Sequence, residues 1–239
     1  MRYIYGPINS RRLGLSLGIT LTPSKVCSFD CIYCQLGKTT IKTTDIKDYI
    51  PFNDILAELK SWIQNNSQQV DKINYITFSG SGEPILNSEI SQVIAEIKKI
   101  VSIPVCVITN ASLLILPAVR KAISLADLLI PSLDAVDPRI FQKINRPLET
   151  IKIEDIIEGL ISLRKEFRGR IWLEVMLVKG VNDDIRHIKK LKEVIDKINP
   201  DKIQLNSPVR ATCEPGVLAV EKNKLEKIKE ILGDRCEIL

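Results

Sequence analysis

Apolar residues in this chain follow two rhythms. Short runs rich in Val, Ile and Leu, bounded by Gly, Pro, Asn, Asp or Ser, fall at 13–22, 73–78, 105–109, 127–133, 171–178 and 202–206 and predict strands. Segments in which apolar positions recur every three or four residues predict helices at 88–101, 113–125, 153–167, 184–198 and 221–232. A further helix begins at Asn53, read as its N-cap. Ile55, Leu56, Leu59, Trp62 and Ile63 share one face there, until the polar run 64–69 ends the pattern. Residues 236–239 read as a short edge strand. The opening 1–12 carries the turn signals Gly6-Pro7 and Asn9-Ser10 and reads as an irregular lead-in, while the polar 35–51 reads as a surface excursion.

Alternating strand and helix is the pattern of βα units, hence of an α/β fold with parallel strands. Six such units suit an incomplete (βα)6 TIM-type barrel, open on one side, or a doubly wound open sheet. Either way, ligands belong on loops at the carboxyl ends of the strands. The barrel units span about 13–206, followed by a C-terminal helix and short strand in 207–239.

Composition narrows the setting. A chain of 239 residues, 45% hydrophobic, can bury a sizeable core, and 1–239 is expected to be one domain without internal repeats or linkers. No run approaches the length of a membrane span, and Met1 to Gly6 lacks the apolar stretch of a signal peptide, so no membrane association and a cytoplasmic location are expected. Net charge +5 permits a polyanionic partner without requiring one. Six cysteines in such a chain read as a metal or catalytic set rather than a disulfide framework.

Three of those cysteines carry the chemistry. Cys27, Cys31 and Cys34 are spaced C-x3-C-x2-C directly after the first strand, so one short loop presents three soft ligands suited to zinc or an iron–sulfur cluster. No fourth ligand lies nearby, since His187 is the only histidine and Cys106, Cys213 and Cys236 are scattered. A cubane cluster held by three thiolates leaves one iron open to a small molecule, whereas a structural zinc site closes with a fourth protein ligand. Unrelated structural thiols or an incomplete zinc knuckle are the alternatives. After the second strand, Ser79-Gly80-Ser81-Gly82-Glu83-Pro84 forms a glycine-rich turn whose backbone can approach a ligand closely, with Glu83 either presenting its carboxylate or fixing the loop.

The cysteine spacing, with Tyr33 just before the third thiol, resembles the signature of the radical S-adenosylmethionine (SAM) superfamily, and Gly80 to Pro84 resembles its Gly-Gly-Glu-Pro motif with Ser81 in place of one glycine. The resemblance implies the partial barrel rather than the open sheet. It also implies a [4Fe–4S] cluster on Cys27, Cys31 and Cys34, with SAM chelated at the open iron and reductively cleaved to a 5′-deoxyadenosyl radical. It places Gly80, Ser81, Gly82 and Glu83 near the SAM amino group, and Asn110, Ser132 and Asp134, at strand ends, near its carboxylate and ribose. Tyr33 falls beside the adenine. Without a cofactor, Asn110, Ser132 and Asp134 read equally well as turn or capping residues. The stretches 76–80, 132–138 and 141–147 resemble the wyosine-forming tRNA-modifying branch, although no cysteine precedes Cys27 to hold that branch's second cluster.

The resemblance further implies an electron donor of flavodoxin or ferredoxin type and, as substrate, a tRNA base. A protein substrate, as for glycyl-radical activating enzymes, and a non-catalytic iron–sulfur module are the competing functions. Arg11, Arg12, Arg146 and Arg210 could read phosphates, or could simply pair with neighbouring carboxylates. Cys213, in the loop after the sixth strand, is a weak catalytic candidate, and Lys179 a possible substrate contact. Asn182-Asp183 is expected to cap the following helix, which carries a packed or solvent-facing His187. Cys106 reads as an inert buried thiol.

Overall fold

The computed structural model describes residues 2–239. In chain order its elements are β1 (Ile4–Ser10), β2 (Gly14–Ile19), β3 (Val26–Cys27), β4 (Ile41–Lys42), α1 (Phe52–Asn65), α2 (Ser67–Val70), β5 (Tyr75–Phe78), α3 (Ile90–Ile100), β6 (Val105–Thr109), α4 (Pro117–Ala122), β7 (Leu128–Pro131), α5 (Pro138–Asn145), α6 (Ile153–Glu166), β8 (Arg170–Met176), α7 (Ile185–Ile198), β9 (Lys202–Asn206), α8 (Lys222–Leu232) and β10 (Cys236–Ile238). A 3-10 turn, Pro84–Leu86, follows β5.

Eight strands form one sheet in the order β1-β2-β5-β6-β7-β8-β9-β10. From β2 onward all pairings are parallel, and β1 alone runs antiparallel, along β2. Sequential parallel neighbours joined through helices make the βα pattern literal, and the sheet does not close on itself: this is a partial barrel. Residues of successive parity point to opposite faces. Phe78, Val105, Val107, Leu129, Ile171, Leu173 and Leu205 bury outward against the helices in the main core. Leu13, Cys106, Leu128 and Ile130 form a second, smaller cluster with Tyr75, Ile108 and Trp172 on the inner face. Further along the same inward parity come Asn110, Ser132, Glu174 and Asn206, so the interior turns polar toward the carboxyl ends of the strands.

Several sequence expectations change. The segment 1–12 is no irregular lead-in, because it contains β1, with a register shift between Tyr5 and Ile8 where Gly6-Pro7 interrupts the ladder. Proline is tolerated there because β1 is an edge strand. The turn after β1 carries Arg11 and Arg12 to strands on the far side of the gap, where they meet Asn206 and Glu174. The helix expected over 113–125 shortens to α4, since Leu116 is extended and Pro117 opens the helix. An unforeseen helix, α5, follows Asp137, whose carboxylate accepts from the N–H groups of Arg139 and Ile140, with Pro138 in the first turn. Asn53 lies inside α1 rather than capping it, and the Phe52 N–H goes to Glu89. Asp184, not Asn182 or Asp183, caps α7. The excursion 35–51 supplies β4, which pairs with β3 and so braces the start of the cysteine loop.

Candidate functional site

The cysteine loop emerges above the end of β2 and is pinned from two sides. Asp30 N–H donates to the carbonyls of Asn145 and Arg146, Ile32 N–H to Ile144 and Leu148 N–H to Ser28, which fastens the loop to the C-terminus of α5. On the other side Thr43 N–H donates to Cys27, and within the loop Cys34 N–H donates back to Cys31 at 3.0 Å.

The glycine-rich turn packs directly under this loop. Glu83 N–H donates to Val26 at 3.0 Å and Lys25 N–H to Ser81 at 2.5 Å. A Cβ on Gly82 would stand 2.0 Å from the Val26 carbonyl oxygen, and Gly80 has φ +107° beside Thr20, so both positions exclude a side chain. Glu83 is buried and accepts from Thr109 Oγ1 at 2.6 Å, Asn110 N–H at 2.8 Å and Ile85 N–H at 3.4 Å. Burial nevertheless holds its carboxyl up at about 7. Of the two roles open to Glu83 in the sequence, fixing the loop is the one its contacts perform.

Asp134 is a second buried hub. Its Oδ2 accepts from Tyr33 OH at 2.5 Å and Asn145 Nδ2 at 2.7 Å, and its Oδ1 from Met176 N–H at 2.9 Å. Desolvation raises its pKa to about 6 against these donors. Asn110 donates to Ser28 Oγ at 2.8 Å and to Cys27 Sγ at 3.5 Å, and Ser132 Oγ lies 3.5 Å from Glu174. Tyr33, Asn110, Ser132 and Asp134 together line one small cavity of about 10 Å³ with Phe29, Phe141 and Asn145. Four of the residues singled out in the sequence are thus neighbours.

Each thiol of the trio receives an N–H donor from a different part of the chain. Asn110 serves Cys27, Asn145 serves Cys31 at 3.5 Å, and the Lys25 ammonium serves Cys34 at 3.2 Å. Burial, with Glu83 as the next cause, pushes the Cys27 thiol up to about 12, and burial beside Asp134 pushes Cys31 up as well. Without metal these two are neutral thiols, and iron would replace their protons. Among the described residues no three such side chains converge on the position of a single ion. A cubane instead takes each thiolate on a separate iron. Three soft donors, hydrogen bonds aimed at sulfur and a buried cation with no carboxylate beside it are a donor set that fits an anionic iron–sulfur cluster.

Other residues scatter. Cys213 is half-exposed in the loop after β9, its thiol pushed up by burial and by Asp30, Glu214 and Cys34. Lys179 pairs with Glu221, and Arg146 with Glu214 and more distantly Asp30. Arg12 pairs with Glu174 at 2.8 Å, while Arg210 makes only a 3.3 Å contact with Gln35. His187 is buried, its Nδ1 against the Asn182 carbonyl at 3.0 Å and its Nε2 accepting from Val136 N–H at 3.3 Å. Lys25, Asn145 and Glu174 were not singled out in the sequence. Asn145 stood in a stretch noted only for its resemblance, and the Pro23-Ser24 turn before Lys25 is the single local hint that it folds inward.

A partial barrel with three cysteines and a glycine turn at the carboxyl ends of its strands defines a radical SAM domain. The family model of the radical SAM superfamily matches residues 21–191, and the chain belongs to that superfamily, whose members take a [4Fe–4S] cluster and SAM. The chain is 36% identical over 239 residues to a UPF0026 protein of Methanocaldococcus jannaschii, covering 100% of this chain and 73% of that protein. It is 41% identical over 235 residues to a protein of Brachyspira hyodysenteriae named GTPase Obg, covering 98% of this chain but only 34% of that much longer protein. A third relative, from Endomicrobium trichonymphae and named "Probable dual-specificity RNA methyltransferase RlmN", is 30% identical over 220 residues, with coverage of 86% and 59%. Among solved structures, a radical SAM methyltransferase from Sphaerobacter thermophilus superposes with TM-score 0.72 at 16% identity, covering 94% of this chain and 66% of that one. TYW1 with a lysine-pyruvate adduct superposes with TM-score 0.63 at 22% identity, covering 91% and 72%. Both likenesses bear on the fold. No helix among the described residues is long and apolar enough to cross a membrane.

Proposed function

We propose that Cys27, Cys31 and Cys34 hold one [4Fe–4S] cluster, that SAM occupies its open iron, and that the chain catalyses hydrogen abstraction from a tRNA base. The observation that carries the reading is the set of three separate N–H donors directed at the three thiols. When bound, cluster and SAM supply reductive cleavage of the sulfonium and a 5′-deoxyadenosyl radical, with the electron delivered by a flavodoxin- or ferredoxin-type donor.

The chain's own residues bind and orient. Asn110, just past the end of β6, holds Cys27 and also bonds Ser28 of the same loop, while Asn145 holds Cys31 and ties it to Asp134 beyond β7. Gly80, Ser81 and Gly82 offer backbone groups to the cofactor's amino end, with Glu83 bracing that backbone from beneath. Tyr33, Asn110, Ser132 and Asp134 would supply the remaining cofactor contacts, around a gap of only about 10 Å³ that Phe29 and Phe141, in edge contact at 5.5 Å, also line. Beside the cysteine loop, Lys143, Arg146, Lys179 and Glu214 line a cleft of about 240 Å³ that would take the substrate segment, with Arg146 already paired to Glu214 and Lys179 to Glu221.

An RNA base is supported by the relative named as an RNA methyltransferase and by the net charge of +5. The pairing of Arg12 and Arg146 with carboxylates favours a second reading, a protein substrate, because it leaves fewer free cations for phosphate. The test is anaerobic reconstitution with iron, sulfide, SAM and dithionite, followed by chromatography of 5′-deoxyadenosine with and without bulk tRNA. Deoxyadenosine that rises with tRNA supports the proposal. No four-iron cluster, or no deoxyadenosine under any condition, sinks the enzyme reading, and stimulation only by a protein fraction moves the substrate.

A further inference from the structure

The three cysteines do not share one kind of neighbour. Cys27 and Cys31 each meet a neutral amide, whereas Cys34 meets the ammonium of Lys25. Lys25 is only 6% exposed, and among the described residues it forms no ion pair with any carboxylate. An ammonium held 3.2 Å from Cys34 Sγ with no carboxylate paired to it favours negative charge on that sulfur.

The backbone holds the side chain there. Lys25 has φ +59°, the left-handed region that non-glycine residues seldom adopt. Its N–H donates to Ser81, and its carbonyl accepts from the N–H groups of Thr40 and Ile41. These bonds join the glycine turn, the cysteine loop and β4 without using the side chain. The chain therefore fixes the loop by backbone and spends the lysine head group on one sulfur.

We propose that Lys25 is a built-in counter-charge that raises the reduction potential of the cluster. The inference rests on the reading of Cys27, Cys31 and Cys34 as cluster ligands. Accepting one electron makes the cluster more negative, and a fixed cation beside one thiolate stabilises that state more than the oxidised one. The effect of Lys25 is thus to ease reduction by the donor, a tuning role and not a catalytic one.

The experiment compares the wild-type protein with Lys25→Met, which keeps the stem and removes the charge, and Lys25→Arg, which keeps the charge. Each is reconstituted anaerobically, assayed for iron and sulfide, and titrated with dithionite through redox mediators in the absence of SAM. The reduced cluster is followed by electron paramagnetic resonance. Lys25→Met is expected to hold four irons, with its reduced-to-oxidised ratio at fixed potential at least tenfold lower, about 59 mV for one electron. Lys25→Arg is expected to lie within threefold of wild type. Equal potentials in wild type and a fully loaded Lys25→Met overturn the proposal while leaving the cluster reading intact. Iron lost from Lys25→Met but kept by Lys25→Arg still assigns the charge to the cluster. Iron lost from both makes Lys25 a loop brace and overturns it. A wild-type protein that takes up no four-iron cluster overturns the ligand reading itself, and this inference with it.

Discussion

Asn145 and Asp134 are locked together at 2.7 Å inside the protein, and the same Asn145 amide nitrogen reaches Cys31 Sγ at 3.5 Å. One amide at the end of α5 thus couples the end of β7 to the cysteine loop. Asn145→Ala leaves the buried Asp134 carboxyl short of one donor, a loss of about 1–3 kcal/mol. Urea unfolding of the iron-free chain should register it as a lower midpoint, and reconstituted protein should carry less iron. An unchanged midpoint and a full iron complement would refute the coupling.

The glycine turn makes a sharper demand at one residue than at its neighbour. At Gly82 an added Cβ meets backbone oxygen at 2.0 Å and Thr22 Oγ1 at 2.7 Å, and backbone cannot swing aside as a flexible side chain can. Gly82→Ala is therefore expected to cost about 1–3 kcal/mol by overpacking and to separate the turn from the cysteine loop. Ser81 contributes its backbone carbonyl to Lys25, so Ser81→Ala should stay within about 0.5 kcal/mol of wild type. Thermal melts of the two variants side by side decide the point, and equal melting would show that the turn yields.

How far such features can be read in the sequence depends on where their partners lie. The strands of the parallel sheet announce themselves because both faces are covered, which makes Val105 to Thr109 or Leu128 to Pro131 nearly continuous apolar runs. β1 hides because it is an edge: only Ile4 is buried, and the residues around Gly6-Pro7 are half-buried or exposed. The cysteines and the glycine turn are legible since each motif is contiguous. Asn145 is not, because its sulfur partner lies 114 positions away and only folding brings α5 over the loop. Glu83 and Asp134 were visible as residues but not as buried, saturated hubs, since burial is a property of the packed barrel.

His187 provides a pH test away from the cluster. Its ring is wedged between the Asn182 carbonyl and the Val136 N–H, which together select the neutral form with the proton on Nδ1. Burial lowers its pKa below the ordinary 6.5, while the Asn182 carbonyl, Asp137 and Asp184 oppose that shift and Lys190 adds to it. A folded-state pKa below the unfolded one gives stability that is intact above about pH 6.5 and declines as pH falls through the lowered value. In the unfolded chain the imidazole takes up its proton first. His187→Gln should flatten this part of the pH dependence of the melting temperature between pH 7 and pH 5. A wild-type profile no steeper than that of His187→Gln would mean that the ring is free to charge in place.

The last prediction concerns the arginines under the tRNA reading. Arg12 and Arg146 already face carboxylates, at 2.8 Å from Glu174 and 2.5 Å from Glu214, so phosphate would have to compete for them. Arg11 and Arg210 are exposed and make only neutral contacts of 3.3 Å, to Asn206 and Gln35, which leaves their charge available. Each cation that neutralises a phosphate on binding releases counterions and steepens the dependence of affinity on salt. Replacing Arg11 or Arg210 by Ala should therefore reduce the slope of log affinity against log salt by about one unit each, with little effect from Arg12→Ala on that slope. Arg12→Ala should instead lower stability, because it strands Glu174 at the inner face, where only Asn206 at 3.2 Å and Ser132 at 3.5 Å remain as donors. Titrations of bulk tRNA at several salt concentrations, paired with urea unfolding of the same variants, separate the two classes. An equal slope in wild type and an Arg11→Ala, Arg210→Ala double variant would take phosphate recognition away from these two residues and favour the protein-substrate reading.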